Sequence, residues 1–313
     1  MTIVSVTLNT CVDHALFVET LRLGDTNRVL RTETDAGGKG VNLARVAAEM
    51  GAETLATGFA GGGPGAFIRH VLDVQGVRHA FVETAGETRT NFSVEDTTDA
   101  PPTTFNARGP EIEPGELEAL WAKCRGVASA GRWVALGGSI PPGVAPEIYR
   151  DLGAMFHEAG CRVLVDADGD PMRLALDAGP HLCKPNAREA SRLLGRPIET
   201  PEQAVLAAQE IRTMQGGGEA MTIVSLGPDG AVLACAKGVL IGHAPTVKSR
   251  STIGSGDSML GAFLWALGEG SPIDEALHWG LAAGAATATT NGSEIARRPV
   301  VEELFDHARV EWV

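Results

Sequence analysis

The chain has 313 residues, 44% of them hydrophobic, with 26 Lys and Arg against 39 Asp and Glu for a formal net charge of −13. That apolar content excludes a disordered chain, and the length is enough for one large α/β domain with an appendage or for two smaller domains. The acidic balance argues against nucleic acid and membrane surfaces as partners, because both are polyanions that need a basic face.

The start, Met1 to Val6, has no basic segment followed by a signal-type apolar run, and no stretch of about 18 uncharged apolar residues follows, so a cytoplasmic protein is expected. Ile3 to Leu8 reads as a first strand, buried on both faces. Val18 to Thr34 alternates polar and apolar residues without helical periodicity and reads as extra strands outside the main sheet. Ala36-Gly37-Gly38-Lys39-Gly40-Val41-Asn42 then opens a helix that continues to Met50. It is no Walker A loop, because Gly40 follows Lys39 where Ser or Thr is required and no glycine stands five residues before Gly38. Gly61-Gly62-Gly63-Pro64-Gly65-Ala66 fits a dinucleotide loop, with Glu83 at the spacing of a ribose carboxylate. Pro64 would remove an N–H from that loop, and nothing else in the chain supports hydride transfer to or from NAD.

Thr88 to Asn106 is a second strand-like segment, and with Val18 to Thr34 it would form either a small lid sheet or edge strands of the main sheet, which periodicity does not separate. Gly115 to Ala130, Ala145 to Ala159, Ala187 to Leu194 and Pro201 to Met214 carry helical periodicity, while Trp133 to Leu136, Arg162 to Val165 and Thr222 to Leu226 read as strands. Gly216 to Gly218 is a turn. This βαβ alternation predicts an α/β fold with a mainly parallel sheet, helices on both faces, and ligands at the carboxyl ends of the strands.

Thr252-Ile253-Gly254-Ser255-Gly256-Asp257-Ser258 leads into the apolar run Met259 to Leu267. If that run is helical, its first N–H groups lack helical partners and attract a phosphate. Asp257 would repel an anion in a mere cradle but suits a base beside a transferred phosphoryl group. The five cysteines, Cys11, Cys124, Cys161, Cys183 and Cys235, show neither a disulfide framework nor metal-ligand spacing.

Thr7-Leu8-Asn9 with Val12-Asp13, the Gly37 to Asn42 cluster, Thr88-Arg89-Thr90-Asn91, Gly137-Gly138-Ser139-Ile140-Pro141-Pro142-Gly143, Lys184-Pro185-Asn186 with Glu189, Ser225 to Gly230 and Thr252 to Asp257 occur in one order along the chain. In that order they resemble the ribokinase-like carbohydrate kinases, and within them the phosphofructokinase B branch. The resemblance implies a single kinase domain over residues 1–313 on a ribokinase-like doubly wound sheet, with a lid from about 14–35 and 88–107. It implies ATP-dependent phosphoryl transfer to a phosphorylated ketohexose, most simply fructose 1-phosphate giving fructose 1,6-bisphosphate, with tagatose 6-phosphate and fructose 6-phosphate as alternatives. A non-catalytic sugar-phosphate sensor is a more distant reading, disfavoured by the intact Asp257.

On this resemblance Asp257 is the base, with Gly254, Ser255 and Gly256 as the anion turn. Asp13, Gly37, Gly38, Lys39, Asn42 and Ser139 form the sugar site, and Arg28 and Arg89 hold the phosphate already on the sugar. Lys184, Asn186, Ser225, Gly227, Gly230 and Thr252 line the nucleotide site, and Asn186 with Glu189 organises Mg²⁺ through water. Gly280 to Gly292 borders the adenine. Mg²⁺ is expected with ATP, and a monovalent cation is left open. Phe92, Val94 and Phe105 give the lid an apolar face suited to a homodimer. Two departures from the family are Thr10-Cys11 in place of Pro-Ala and Ser255 in place of alanine. Cys11 beside the sugar site predicts sensitivity to thiol reagents.

Overall fold

The structure, a computed structural model, describes residues 2–96 and 102–313, so residues 97–101 of the second expected lid segment lie outside the described residues. In chain order the strands are β1 Thr2–Thr7, β2 Cys11–Val18, β3 Val29–Gly37, β4 Glu53–Gly58, β5 Arg78–His79, β6 Arg89–Glu95 and β7 Thr103–Phe105. They continue with β8 Trp133–Gly137, β9 Arg162–Asp166, β10 Leu182–Cys183, β11 Met221–Ser225, β12 Ala231–Cys235, β13 Gly238–His243 and β14 Arg309–Trp312. The helices are α1 Lys39–Glu49, α2 Gly62–Val74, α3 Pro114–Val127, α4 Ile148–Glu158, α5 Gly169–Leu176, α6 Ala187–Leu194, α7 Pro201–Met214, α8 Ser255–Glu269, α9 Ile273–Ala288 and α10 Arg298–Phe305.

A large sheet runs β14-β13-β12-β11-β10-β9-β8-β1-β4-β5. It is parallel from β11 to β5 and antiparallel from β11 to β14. The period of two along each strand explains its two covered faces. Val4, Val6, Val134, Leu136, Val163 and Val165 pack with residues of α3, α4, α5 and α7. Their sequence neighbours Ile3, Trp133, Ala135 and Leu164 pack on the other face with α1, α8 and α9. The parallel register sets Thr7 beside Gly137 and Gly137 beside Asp166, so the carboxyl ends of β1, β8 and β9 form one edge. The mainly parallel sheet with helices on both faces that the sequence predicts is the one found.

The small sheet runs β3-β2-β6-β7. Its first hairpin differs from expectation, because regular pairing begins at Cys11 and ends at Gly37 while the segment between β2 and β3 is a loop. Asn27 holds that loop by accepting from Arg22 N–H and donating to the Arg22 and Asp25 carbonyls. Cross-strand rows assign the two faces. Asp35, Asp13 and Asn91 lie in one row, and Thr34, His14, Phe92 and Phe105 lie in the next, on the opposite side.

The α2 glycine cluster serves packing and not a dinucleotide. Gly61 N–H donates to Thr88 Oγ1, which ties α2 to the strand entering the small sheet, and Glu83 forms an ion pair with Arg69 at 2.6 Å. Among the described residues no helix is long and apolar enough to cross a membrane.

Candidate active site

The small sheet stands over the carboxyl edge of the large one, and a cleft of about 520 Å³ opens between them. Asp13, Lys39, Asn42, Arg89, Ser139 and Asp257 all line it. Residues separated by up to 244 positions are thus gathered by two helix N-termini, the end of β8 and the inner face of the small sheet.

Asp257 sits in the first turn of α8 and is only 8% exposed. Gly254 is the N-cap at φ 77°, a left-handed conformation that the chain adopts cheaply only with glycine, so the turn folds back and leaves the first N–H groups of α8 facing the cleft. Asn42, on α1, donates to Asp257 Oδ2 at 2.9 Å and fixes the carboxylate. Burial, reinforced by the Asp166 charge, raises Asp257 to about 6 against the opposing pull of Lys39, the Asn42 hydrogen bond and Lys184.

Asp166 is the residue that sequence reasoning missed. It ends β9 and is 3% exposed. Lys39 Nζ donates to its Oδ1 at 2.8 Å, and Lys184 Nζ lies 3.5 Å from its Oδ2. Burial alone would raise its carboxyl, but Lys184 and Lys39 together hold it below the usual carboxylate range. The Lys39 ammonium, which burial would lower, is raised because Asp166, Glu189 and Asp257 all face it. A carboxylate closing the apolar run Val163-Leu164-Val165 was the available signal, since ligands gather at strand carboxyl ends.

The sugar-side residues form a connected set. Asn91 donates to Asp13 Oδ1 at 2.9 Å and the Cys11 thiol to the same oxygen at 3.3 Å. Arg89 donates to the Ala107 carbonyl at 2.8 Å and to the Asn9 carbonyl at 3.0 Å, while its buried Nε makes no hydrogen bond. Gly37 lies against Asp13, where a Cβ would stand 2.2 Å from Oδ2, and Gly38 is the N-cap of α1. Arg28 does not join this set. It is exposed where the loop enters β3, and Gly37 at the other end of that nine-residue strand is the one that packs against Asp13 and Cys11 beside the cleft. At ~3.3 Å per residue, Arg28 is about 30 Å away along the strand.

Cys11 differs from expectation as well. It is 3% exposed, and burial together with Asp13 pushes its thiol well above the usual range, the opposite of a reactive thiolate.

The nucleotide-side residues cluster at the ends of β10 and β11. Asn186 pairs with Ser225 in a parallel bridge, and Gly227 and Gly230 bracket a single 3₁₀ turn closed by Leu226 N–H on the Gly230 carbonyl at 2.8 Å. Lys184 reaches the anion turn, since a Cβ on Gly256 would stand 3.1 Å from its Nζ. Thr252 is exposed and its carbonyl accepts from Ser255 N–H at 3.3 Å; the Ser255 Oγ is buried without a partner. Asn186 and Glu189 form a reciprocal cap of α6, in which Asn186 Oδ1 accepts from Glu189 N–H at 2.9 Å and Glu189 Oε2 accepts from Asn186 N–H at 2.8 Å. Glu189 Oε1 is left facing Lys39 at 3.8 Å. Within Gly280 to Gly292, Gly280 and Gly284 are taken up by the close packing of α9 on α8, where their Cβ positions meet the Met259 and Ser255 carbonyls.

The arrangement joins a buried carboxylate, an N–H-lined turn and two cations in one cleft, which is what transfer of a phosphoryl group to an alcohol requires. Comparison with known proteins agrees. The family described as pfkB family carbohydrate kinase matches residues 2–299. The 1-phosphofructokinase of Bacillus subtilis is 31% identical over 98% of this chain and 99% of its own. That of Rhodobacter capsulatus is 34% identical over 87% of this chain and 86% of its own. Phosphofructokinase-2 from Escherichia coli, solved in complex with substrates and products, superposes with a TM-score of 0.92 at 30% identity, covering 98% of this chain and 99% of that one.

Proposed function

The chain belongs to the pfkB family of carbohydrate kinases and is an ATP-dependent sugar-phosphate kinase; from that premise we propose that it phosphorylates fructose 1-phosphate to fructose 1,6-bisphosphate. The observation that carries the chemistry is the meeting of Asp13, Arg89 and Asp257 in one cleft. The choice of sugar rests on the two 1-phosphofructokinase relatives.

In this reading Asp13, oriented by Asn91, accepts hydrogen bonds from sugar hydroxyls, and Arg89 offers its remaining N–H groups to the sugar's phosphate. Asp257 Oδ1, the oxygen that Asn42 leaves free, takes the proton of the attacking hydroxyl. The N–H groups of Gly254 and Gly256 in the anion turn and the Lys184 ammonium balance charge on the moving phosphoryl group. Lys39 spans the two halves, because it starts from the sugar-side helix α1 and ends on Asp166 beside Lys184.

The residues fit a Mg²⁺ ion that arrives with the nucleotide. Asp166 Oδ2 receives no hydrogen bond, and Glu189 is a second carboxylate near the same lysine. One or two carboxylates plus phosphate oxygens and water are how Mg²⁺ is held. Bound there, the ion would supply Lewis-acid stabilisation of phosphate charge. Asn186 spends its amide oxygen on the α6 cap, so Glu189 carries its side of that role.

The small sheet acts as a lid that keeps water from competing for the phosphoryl group. The face opposite Asp13 carries exposed Phe92, which also borders the cleft, and exposed Phe105, with Val94 partly covered, and exposed Leu30 follows the start of β3. A homodimer through this face would cover them. Consumption of ATP and five free, buried cysteines suit the cytoplasm.

The test is a panel of fructose 1-phosphate, fructose 6-phosphate and tagatose 6-phosphate with ATP and Mg²⁺, read by ADP release. The highest kcat/KM on fructose 1-phosphate supports the assignment. A clear preference for either of the others replaces it.

A further inference from the structure

Tyr149 is the chain's only tyrosine, and it is fully buried in the first turn of α4. Its hydroxyl lies 2.9 Å from the Gly137 carbonyl and 3.1 Å from the Gly138 carbonyl, so one O–H proton is shared between two consecutive backbone acceptors. These carbonyls belong to the turn by which the chain leaves β8 and enters the cleft. Gly138 there has φ 94°, and its N–H donates to the Asp166 carbonyl at 3.0 Å. From this turn Ser139 projects, exposed, into the cleft, where its Oγ accepts from Asn9 Nδ2 at 3.1 Å. The Asn9 carbonyl in turn accepts from Arg89 at 3.0 Å.

A backbone turn with few side chains has little to fix it. Two of its three residues are glycines, the residue type with the most conformational freedom to lose. A rigid phenol rooted in the core supplies the missing anchor from below. Aliphatic residues fill the same core without such a donor, so the hydroxyl is spent on the turn and not on packing.

We infer that Tyr149 is a positioning residue for the sugar-phosphate half of the site, holding the Gly137-Gly138-Ser139 turn so that Ser139, Asn9 and Arg89 meet the substrate as one preformed surface. The inference rests on the proposed function, in that this half of the cleft receives the phosphorylated sugar. Tyr149 touches no substrate atom; it acts only through the turn. A donor lost from beneath a binding loop weakens what the loop binds first, whereas the nucleotide contacts at Asn186, Ser225 and Gly227 stand on β10 and β11, outside this turn.

The experiment compares the wild type, Tyr149→Phe, Ser139→Ala and the double variant by steady-state kinetics with fructose 1-phosphate and ATP. Tyr149→Phe is expected to raise KM for the sugar phosphate about fivefold to tenfold, with KM for ATP changed less than about twofold. The double variant is expected to match Ser139→Ala closely, because both act on one contact. Unchanged KM values, an equal rise in both, or fully additive effects would each overturn the inference. A wild type inactive on every sugar phosphate removes the functional reading and this inference with it. A wild type that is active beside an unaltered Tyr149→Phe removes the inference alone.

Should Tyr149→Phe fail to fold, the wild-type chain still decides. Biosynthetic incorporation of 3-fluorotyrosine labels a single site, since no second tyrosine exists. Its ¹⁹F resonance is expected to shift on saturation with fructose 1-phosphate and to stay in place with ATP alone. A resonance indifferent to the sugar phosphate overturns the role.

Discussion

Asn42 donates to Asp257 over 2.9 Å and joins the first turn of α1 to the first turn of α8 across 215 positions of sequence. One carboxylate oxygen is thereby engaged and the other is left for chemistry. Burial makes the ionised Asp257 costly to the fold, and this contact offsets part of that cost while orienting the carboxylate for the reaction.

The cost has a sign. Asp257 is raised from 3.8 to about 6 by burial and by Asp166, so the folded chain binds its proton more tightly than the unfolded chain does. Its ionised form therefore opposes folding above about pH 6, and the penalty is relieved as pH falls towards 4. Asp257→Asn is expected to cut kcat by ~10²–10⁴ while raising stability at pH 7.5 by roughly 1–3 kcal/mol. Denaturant melts beside turnover assays check both, and a variant that is both active and less stable contradicts the assignment.

The same shift predicts the pH profile. kcat/KM should fall on the acid side with a limb near pH 6, where the base gains a proton. Lys39 lowers the Asp257 value, so Lys39→Met should move that limb to higher pH. A limb that stays put in Lys39→Met would mean that another group sets it.

Gly37→Ala isolates the sugar side. The new Cβ would fall 2.2 Å from Asp13 Oδ2 and 2.9 Å from Cys11 Sγ, both at side-chain ends that can swing aside. The fold should persist while Asp13 leaves its bond with Asn91. KM for the sugar phosphate is expected to rise at least about tenfold with little change in KM for ATP. Equal effects on the two substrates would separate Asp13 from sugar binding.

Cys11 should resist alkylation. With the thiol buried and raised well above its usual range, iodoacetamide at pH 7.5 is expected to leave both Cys11 and turnover intact over an hour. Mass spectrometry of the peptide carrying Cys11 reads the result, and rapid carbamidomethylation there would show that the cleft exposes the sulfur.

Features with a local cause were legible in the sequence. Continuous apolar runs such as Ile3 to Val6 announced strands covered on both faces, and Gly254 to Asp257 announced a turn into a helix N-terminus because that turn needs its glycine within the motif itself. Asp166 was not legible, since its meaning comes from Lys39, 127 positions away, and from the register that brings the two to one sheet edge. The strand Cys11–Val18 escaped because Asp13, which faces the cleft, and the adjacent His14 interrupt its apolar pattern. The burial of the Cys11 thiol was not legible, because neighbouring residues do not reveal how deeply a side chain is buried. Arg28 lies outside this chain's own cleft, because composition says nothing about which end of a hairpin faces it.

The union of Asn42 with Asp257 also orders events during synthesis. The sugar-side surface and most of the large sheet leave the ribosome well before α8 does, yet Ile3, Trp133, Ala135 and Leu164 keep one face of that sheet bare until α8 and α9 arrive. A single domain folds as a unit, so the early half waits for the late one. The helix that covers the core is thus the same one that delivers the proton acceptor, and a polypeptide cut short before it loses the fold and the chemistry together.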